Sequence, residues 1–144
     1  MDLGAAVQSG CITRVQNDLN ICIESNNSDE IAHGLWWAVF CKWADAFDLL
    51  YPHTPQSGRN IVCATLCIRL TNNTTSIVST NPVWLKMFDR FCTDTDLHEV
   101  VHVLRTQWPG SESADFLEDW INLKQNAMLR DTIGNAFNKA LRKI

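Results

Sequence analysis

QSGRNIVCATLCIRL, residues 56–70, is the apolar stretch that decides the fold. From Val62 to Leu70 apolar residues alternate with Cys, Thr and Arg, which is typical of a half-buried strand. The spacing of Val62, Leu66 and either Arg69 or Leu70 also fits one face of a helix. Because the flanking stretches have helical periodicity and an isolated hairpin is marginally stable, we predict a helix. A short hairpin over residues 61–80 is the alternative.

Amphipathic periodicity continues on both sides of this stretch. Apolar residues recur at intervals of three and four over residues 9–25, and again in a second helix from about Asp29 to Leu50. Further helices are predicted from Pro82 to about Cys92, then from a cap at Asp94 or Asp96 to Trp108, and then from a cap at Ser111 or Ser113. A last amphipathic segment follows. The sequence therefore predicts an all-α fold, a single domain over residues 1–144 built as a bundle of six to seven helices.

Composition limits the classes of function. The chain has 144 residues, of which 46% are apolar, enough for one domain with a sizeable core. Its net charge of −4 leaves no basic surface for phosphates, so nucleic acid is not an expected partner. We find neither a secretory signal nor an apolar run near the roughly 18 to 20 residues that span a bilayer. We expect a cytoplasmic protein without a membrane anchor, whose cysteines are reduced.

HEVVH, residues 98–102, has the H-E-x-x-H pattern. On a helix it would place His98 and His102 one turn apart on one face, with Glu99 as a base toward a zinc-bound water. With its apolar flanks the stretch resembles zinc metallopeptidases of the zincin type, which implies a third ligand from the acidic residues downstream: Glu112, Asp115 and Glu118. Our default interpretation is a helix with two half-exposed histidines, so we predict no catalytic residue, metal or cofactor. A small zinc metallopeptidase is the alternative.

LWWAVFCKWADAFDLLY, residues 35–51, holds more large apolar side chains than one helix face buries in a domain of this size. Trp36, Trp37 and Trp43 therefore belong either to the core or to a docking surface. We favour the core. An interaction groove or a dimer face is the other interpretation.

Ser57-Gly58-Arg59, at the start of the apolar helix, resembles the first homology motif of the Bcl-2 family, and residues 40–51 resemble its third motif. The resemblance implies a viral-type protein that sequesters an amphipathic pro-apoptotic helix of a partner in a surface groove and so inhibits apoptosis. It implies that Arg59 is the counter-ion of an acidic residue on the bound helix. The implied groove residues are Gly58, Arg59, Ile61, Val62 and Leu66.

A second resemblance is to hepadnavirus-like core proteins. Residues 52–54, Arg59, residues 62–63 and residues 72–73 resemble one spike helix, and HEVVHVLRTQW, residues 98–108, resembles the helix that packs subunits. This resemblance implies a self-assembling viral capsid protein, and with it a homodimer through the Trp-rich helix.

Overall fold

A computed structural model describes residues 2–71, 82–110 and 112–123, and over these ranges the chain is all-α. A 3-10 turn, Tyr51–His53, follows the fourth helix. The helix over residues 112–123, the last that the structure describes, is called α8 below. The other helices are α1 Leu3–Gln8, α2 Ile12–Glu24, α3 Ser28–Phe40, α4 Ala44–Leu50, α5 Gln56–Thr71, α6 Pro82–Asp94 and α7 Leu97–Gln107.

The helix predicted over residues 56–70 is confirmed as α5, and the hairpin alternative is wrong for residues 61–71. Packing explains why residues 56–71 form a helix and not a strand. Val62, Leu66 and Leu70 are all buried on one face, while Ile61 on the opposite side of the pattern is exposed. Residues 72–81, the remainder of the predicted hairpin, and the segment after residue 123 lie outside the described residues.

The predicted second helix is two helices, which corrects the boundary drawn from the sequence. Lys42 has a φ of +58°, in the left-handed region. The amide of Trp43 donates to the carbonyl of Ala38 at 3.0 Å and that of Lys42 to the carbonyl of Val39 at 3.1 Å, so a Schellman motif ends α3. The indole of Trp84 donates to the same Val39 carbonyl at 2.8 Å and covers the corner. The chain can then fold back so that α4 packs on α3.

α5 lies at the centre of the packing, in contact with α3, α6 and α7. On the other side of α3, the short helix α1 packs closely because two glycines allow it. A Cβ on Gly34 would lie 2.7 Å from Cγ of Leu3, and one on Gly4 would lie 2.6 Å from Cδ1 of Trp37. The amide of Leu3 also donates to a carboxylate oxygen of Glu30 at 2.7 Å. α3 is thereby held between α1 and α5.

The six cysteines are all free in the structure. Cys63 and Cys67 lie one turn apart in α5 and are completely buried. A hydrogen bond with Cys67, together with burial, raises the pKa of the Cys63 thiol well above its ordinary value. Both cysteines are therefore core side chains of α5, and the raised pKa keeps the Cys63 thiol neutral.

Candidate functional site

An open groove runs between α3 and α5. It encloses about 440 Å³, and we call it the α3–α5 groove. Ala32 of α3 and Gly58 of α5 approach near the helix starts, and Phe40 and Arg69 approach near the helix ends, so the two helices run in the same direction. The groove is lined by Ser28, Asp29, Ala32, His33, Trp36, Pro55, Ser57, Gly58, Ile61 and Val62.

Gly58 sets the depth of the groove at its start. A Cβ at this position would lie 2.9 Å from Cβ of Ala32 and 3.1 Å from Cγ2 of Thr54, so a larger residue would push α5 away from α3. Three residues further along α5, Ile61 is 43% exposed at the edge of the groove. The close helix contact and the exposed Ile61 together make a concave apolar surface.

Aromatic side chains form the α3 wall and continue beyond the groove. Trp36 stacks on Phe40 with ring centroids 5.5 Å apart and planes 11° apart, and Trp37 meets both rings edge to face. The indole of Trp37 donates to Nε2 of His33 at 3.2 Å, so that nitrogen carries no proton. Phe40 remains 42% exposed. The surface beside the groove is therefore rigid and aromatic, like the anchor positions of protein interfaces.

The two ends of this surface carry opposite charges. Asp29, in the first turn of α3, lines the groove at one end. Arg69, in the last turn of α5, lies at the other end, with its guanidinium carbon 4.3 Å from the centroid of Phe40 and 5.7 Å from that of Trp36. Both rings lie within the range of cation–π contact.

The structure brings three of the five predicted groove residues together. Gly58, Ile61 and Val62 line the α3–α5 groove. Leu66 is completely buried and belongs to the core of the bundle. The side chain of Arg59 turns toward the end of α4, where Nε and Nη2 donate to the carbonyl of Tyr51 at 3.3 and 3.0 Å.

Arg59 is one of two arginines that cover the buried ring of Tyr51. The guanidinium carbons of Arg59 and Arg90 lie 4.3 and 4.5 Å from the ring centroid. Burial raises the pKa of the Tyr51 phenol above its ordinary value. This side of α5 is thus closed by contacts within the chain.

The sequence only partly indicates the side of the site that α3 supplies. Ala32 and His33 line the groove although neither was predicted there, and Trp36, for which a docking surface was the alternative to the core, lines it as well. Ala32, Trp36 and Phe40 are spaced four residues apart, which places them on one helix face. That spacing was the available signal, but it does not say which helix the face meets.

The HEVVH segment lies in α7, with its valines packed in the core and both histidines exposed. An oxygen of the Glu99 carboxylate accepts from Nδ2 of Asn60 at 2.9 Å, and Oδ1 of Asn60 accepts from Nε2 of Gln56 at 2.9 Å. Asn60 is only 7% exposed. Glu99 is therefore joined to α5 by a polar chain beneath a shallow depression edged by His98 and His102.

The described residues do not fit a zinc site of the zincin type. Asp115 and Glu118, two of the three candidate third ligands, accept from Arg105 on the far part of α7. Glu112 lies with the same arginine around a separate cavity. Across residues 2–71, 82–110 and 112–123, no group of three His, Cys, Asp or Glu side chains is placed to hold a metal ion.

Comparisons with known proteins do not assign this chain to a family. A scan against protein-family models, a search of curated proteins and a search of solved structures each found no match to this chain. Within the part of the chain that the structure describes, no helix is long and apolar enough to cross a membrane.

Proposed function

We propose that this chain is a binding protein that holds an amphipathic helix of a partner protein in the α3–α5 groove. The observation that carries the proposal is the apolar groove itself, where the exposed Ile61 of α5 faces the Trp36 wall of α3. Grooves between helices are a recurrent place for an amphipathic helix to dock. In line with the resemblance to the Bcl-2 family, the partner would be a pro-apoptotic protein and its capture would inhibit apoptosis.

The dimensions of the surface suit a helix. From Asp29 to Phe40 the α3 wall extends roughly 16 Å, about three helical turns at 1.5 Å per residue. Anchors at i, i+3 or i+4, and i+7 on a partner helix span about 10 Å, so they fit within this length. The groove volume of about 440 Å³ is sufficient to bury apolar side chains of the partner.

The aromatic residues of the α3 wall are of the kind that contribute strongly to the binding free energy of protein interfaces. Trp36 is fixed by its stacking on Phe40 and by its contact with Trp37, so little side-chain entropy is lost when a partner covers it. Tryptophan at the centre of an interface commonly contributes more than its share of the binding free energy. Covering this wall would remove exposed aromatic surface from water.

The direct test replaces one apolar side chain at the groove edge. Ile61→Glu should lower the affinity for a labelled amphipathic pro-apoptotic peptide by at least about tenfold, because a carboxylate would be desolvated against apolar anchors. Ile12→Glu on α2 is the matched control, since Ile12 and Ile61 are both 43% exposed. Fluorescence anisotropy of the peptide measures both, and circular dichroism verifies that the two variants are equally folded.

Equal loss of affinity in the two variants, or no binding of any amphipathic peptide to the unaltered protein, would contradict the proposal. Light scattering on the free protein gives an independent control. A mass of one 16.3 kDa chain leaves the groove open to a partner. A stable dimer that Ile61→Glu dissociates would instead assign the groove to a second copy of this chain.

A further inference from the structure

We propose that the helix taken by the α3–α5 groove is charge-polarised, with a lysine or arginine at the Asp29 end and a carboxylate at the Arg69 end. The inference rests on the proposed function, because it specifies the chemistry of the occupant of the same groove. It follows from the charges that the structure places at the two ends of one apolar surface.

Asp29 provides the attraction at the first end. Among the described side chains that line the groove, it is the only one that belongs to an Asp, Glu, Lys or Arg. The ring of His33, which also lines the groove, accepts a hydrogen bond at Nε2 from the indole of Trp37. A cation on the partner at this end would meet a carboxylate and no lysine or arginine of the described groove lining.

Arg69 provides the attraction at the second end. The carbon of its guanidinium lies 4.3 Å from the ring centroid of Phe40 and 5.7 Å from that of Trp36, within the range of cation–π contact. Within the described residues, the ion pairs are made by Arg90 and Arg105, and Arg69 is not among them. Arg69 is half-buried beside this aromatic wall, and a guanidinium is suited to bidentate pairing with a carboxylate.

The separation of the two ends sets the spacing of the charges on the partner. Asp29 and the Phe40–Arg69 stack are roughly 16 Å apart along α3, which corresponds to about eleven residues of a helix lying alongside. The apolar anchors would lie between the two charges. A helix with this pattern can pair at both ends at once, whereas one with the charges exchanged would meet repulsion at both.

Two synthetic amphipathic peptides of identical composition test the proposal. One carries Lys near its start and Asp about eleven residues later, and the other has the two residues exchanged. Whichever direction a helix takes in the groove, one of the peptides then matches both ends. We expect the matching peptide to bind at least about tenfold more tightly at low salt, and the difference to shrink at high salt because the pairs are partly exposed.

Exchanging the charges on the protein should exchange the preference. In Asp29→Lys combined with Arg69→Asp, the weaker peptide should become the tighter one, which loss of folding could not produce. If the exchanged protein proves unfolded by circular dichroism, Asp29→Asn and Arg69→Gln replace it. Each neutral variant should then reduce the ratio of the two affinities by about threefold or more.

Equal binding of the two peptides to the unaltered protein, with Ile61→Glu still abolishing both, would overturn the charge polarity and leave the binding groove in place. A preference that persists unchanged in the exchanged protein, or in both neutral variants, would also overturn it. Failure of both peptides and of the pro-apoptotic peptide to bind would instead count against the proposed function itself.

Discussion

The two sides of α5 differ in whether other parts of the chain cover and contact their side chains. On the side that faces α3, Ile61 remains 43% exposed next to a cavity. On the side that faces α4 and α7, polar side chains are engaged within the chain. Arg59 donates to the Tyr51 carbonyl, and Asn60 donates to Glu99. Of three consecutive residues in α5, Arg59 and Asn60 are therefore hydrogen-bonded within the chain, whereas Ile61 is exposed at the groove.

This difference indicates where a partner can act. Exposed apolar surface on rigid helices gains free energy when it is covered, and nothing within the described residues covers the α3–α5 groove. On the closed side Arg59 and Asn60 already donate hydrogen bonds within the chain, so a partner would gain little by replacing these bonds. The comparison predicts that open-side changes alter binding and that closed-side changes alter stability.

The largest effect is expected where α5 is completely buried. Leu66→Ala should lower the free energy of unfolding by about 3 kcal/mol, because it removes a core side chain and leaves a cavity. Urea unfolding followed by circular dichroism measures the loss. Ile61→Ala is the control on the same helix, and it should cost less than about 1 kcal/mol because Ile61 is already partly in water.

One outcome for Leu66→Ala would instead indicate that Leu66 lines the α3–α5 groove. If Leu66→Ala keeps the stability within about 1 kcal/mol of the unaltered protein yet reduces peptide affinity, Leu66 faces the groove, as the Bcl-2 resemblance implies. Loss of stability with affinity retained in the folded fraction would keep it in the core.

Most of the fold was predictable because helical period dominates the sequence. The spacing within α5 fitted a strand and a helix alike, and the helical periodicity of the stretches on both sides decided for the helix. The break between α3 and α4 was not predictable in the same way. Lys42 occupies the left-handed position that Gly or Asn normally takes, so the sequence carries no standard stop signal there.

The groove was predictable only from one side. Gly58, Ile61 and Val62 are local to α5, and the resemblance of this stretch to a Bcl-2 motif implied that they line a groove. The opposite wall at Trp36 depends on a contact between helices that are distant in sequence, which no local pattern specifies. The hydrogen-bond acceptor of Arg59 could not be predicted either. It is the backbone carbonyl of Tyr51, and every residue has a backbone carbonyl, so the sequence does not indicate which one is used.

A smaller effect is expected at the polar chain between α5 and α7. Asn60→Ala should lower the free energy of unfolding by about 1 to 2 kcal/mol, because it removes the hydrogen bonds with Gln56 and Glu99 from a nearly buried position. A double-mutant cycle with Glu99→Ala isolates the second bond. The coupling energy between Asn60 and Glu99 should be at least about 0.5 kcal/mol. A coupling energy near zero would show that the hydrogen bond to Glu99 does not contribute to stability.

The smallest change in stability, and the sharpest comparison, is expected for Arg59→Ala. It should lower the free energy of unfolding by about 1 kcal/mol, because the Tyr51 carbonyl loses its donors and the ring loses one of its cations. Peptide affinity should stay within about twofold of the unaltered protein, since the side chain points away from the groove lining. A counter-ion role implies the reverse, a loss beyond about tenfold, because a carboxylate of the bound helix would be left unpaired. Unfolding and anisotropy measured on the same preparation therefore decide to which side of α5 this arginine belongs.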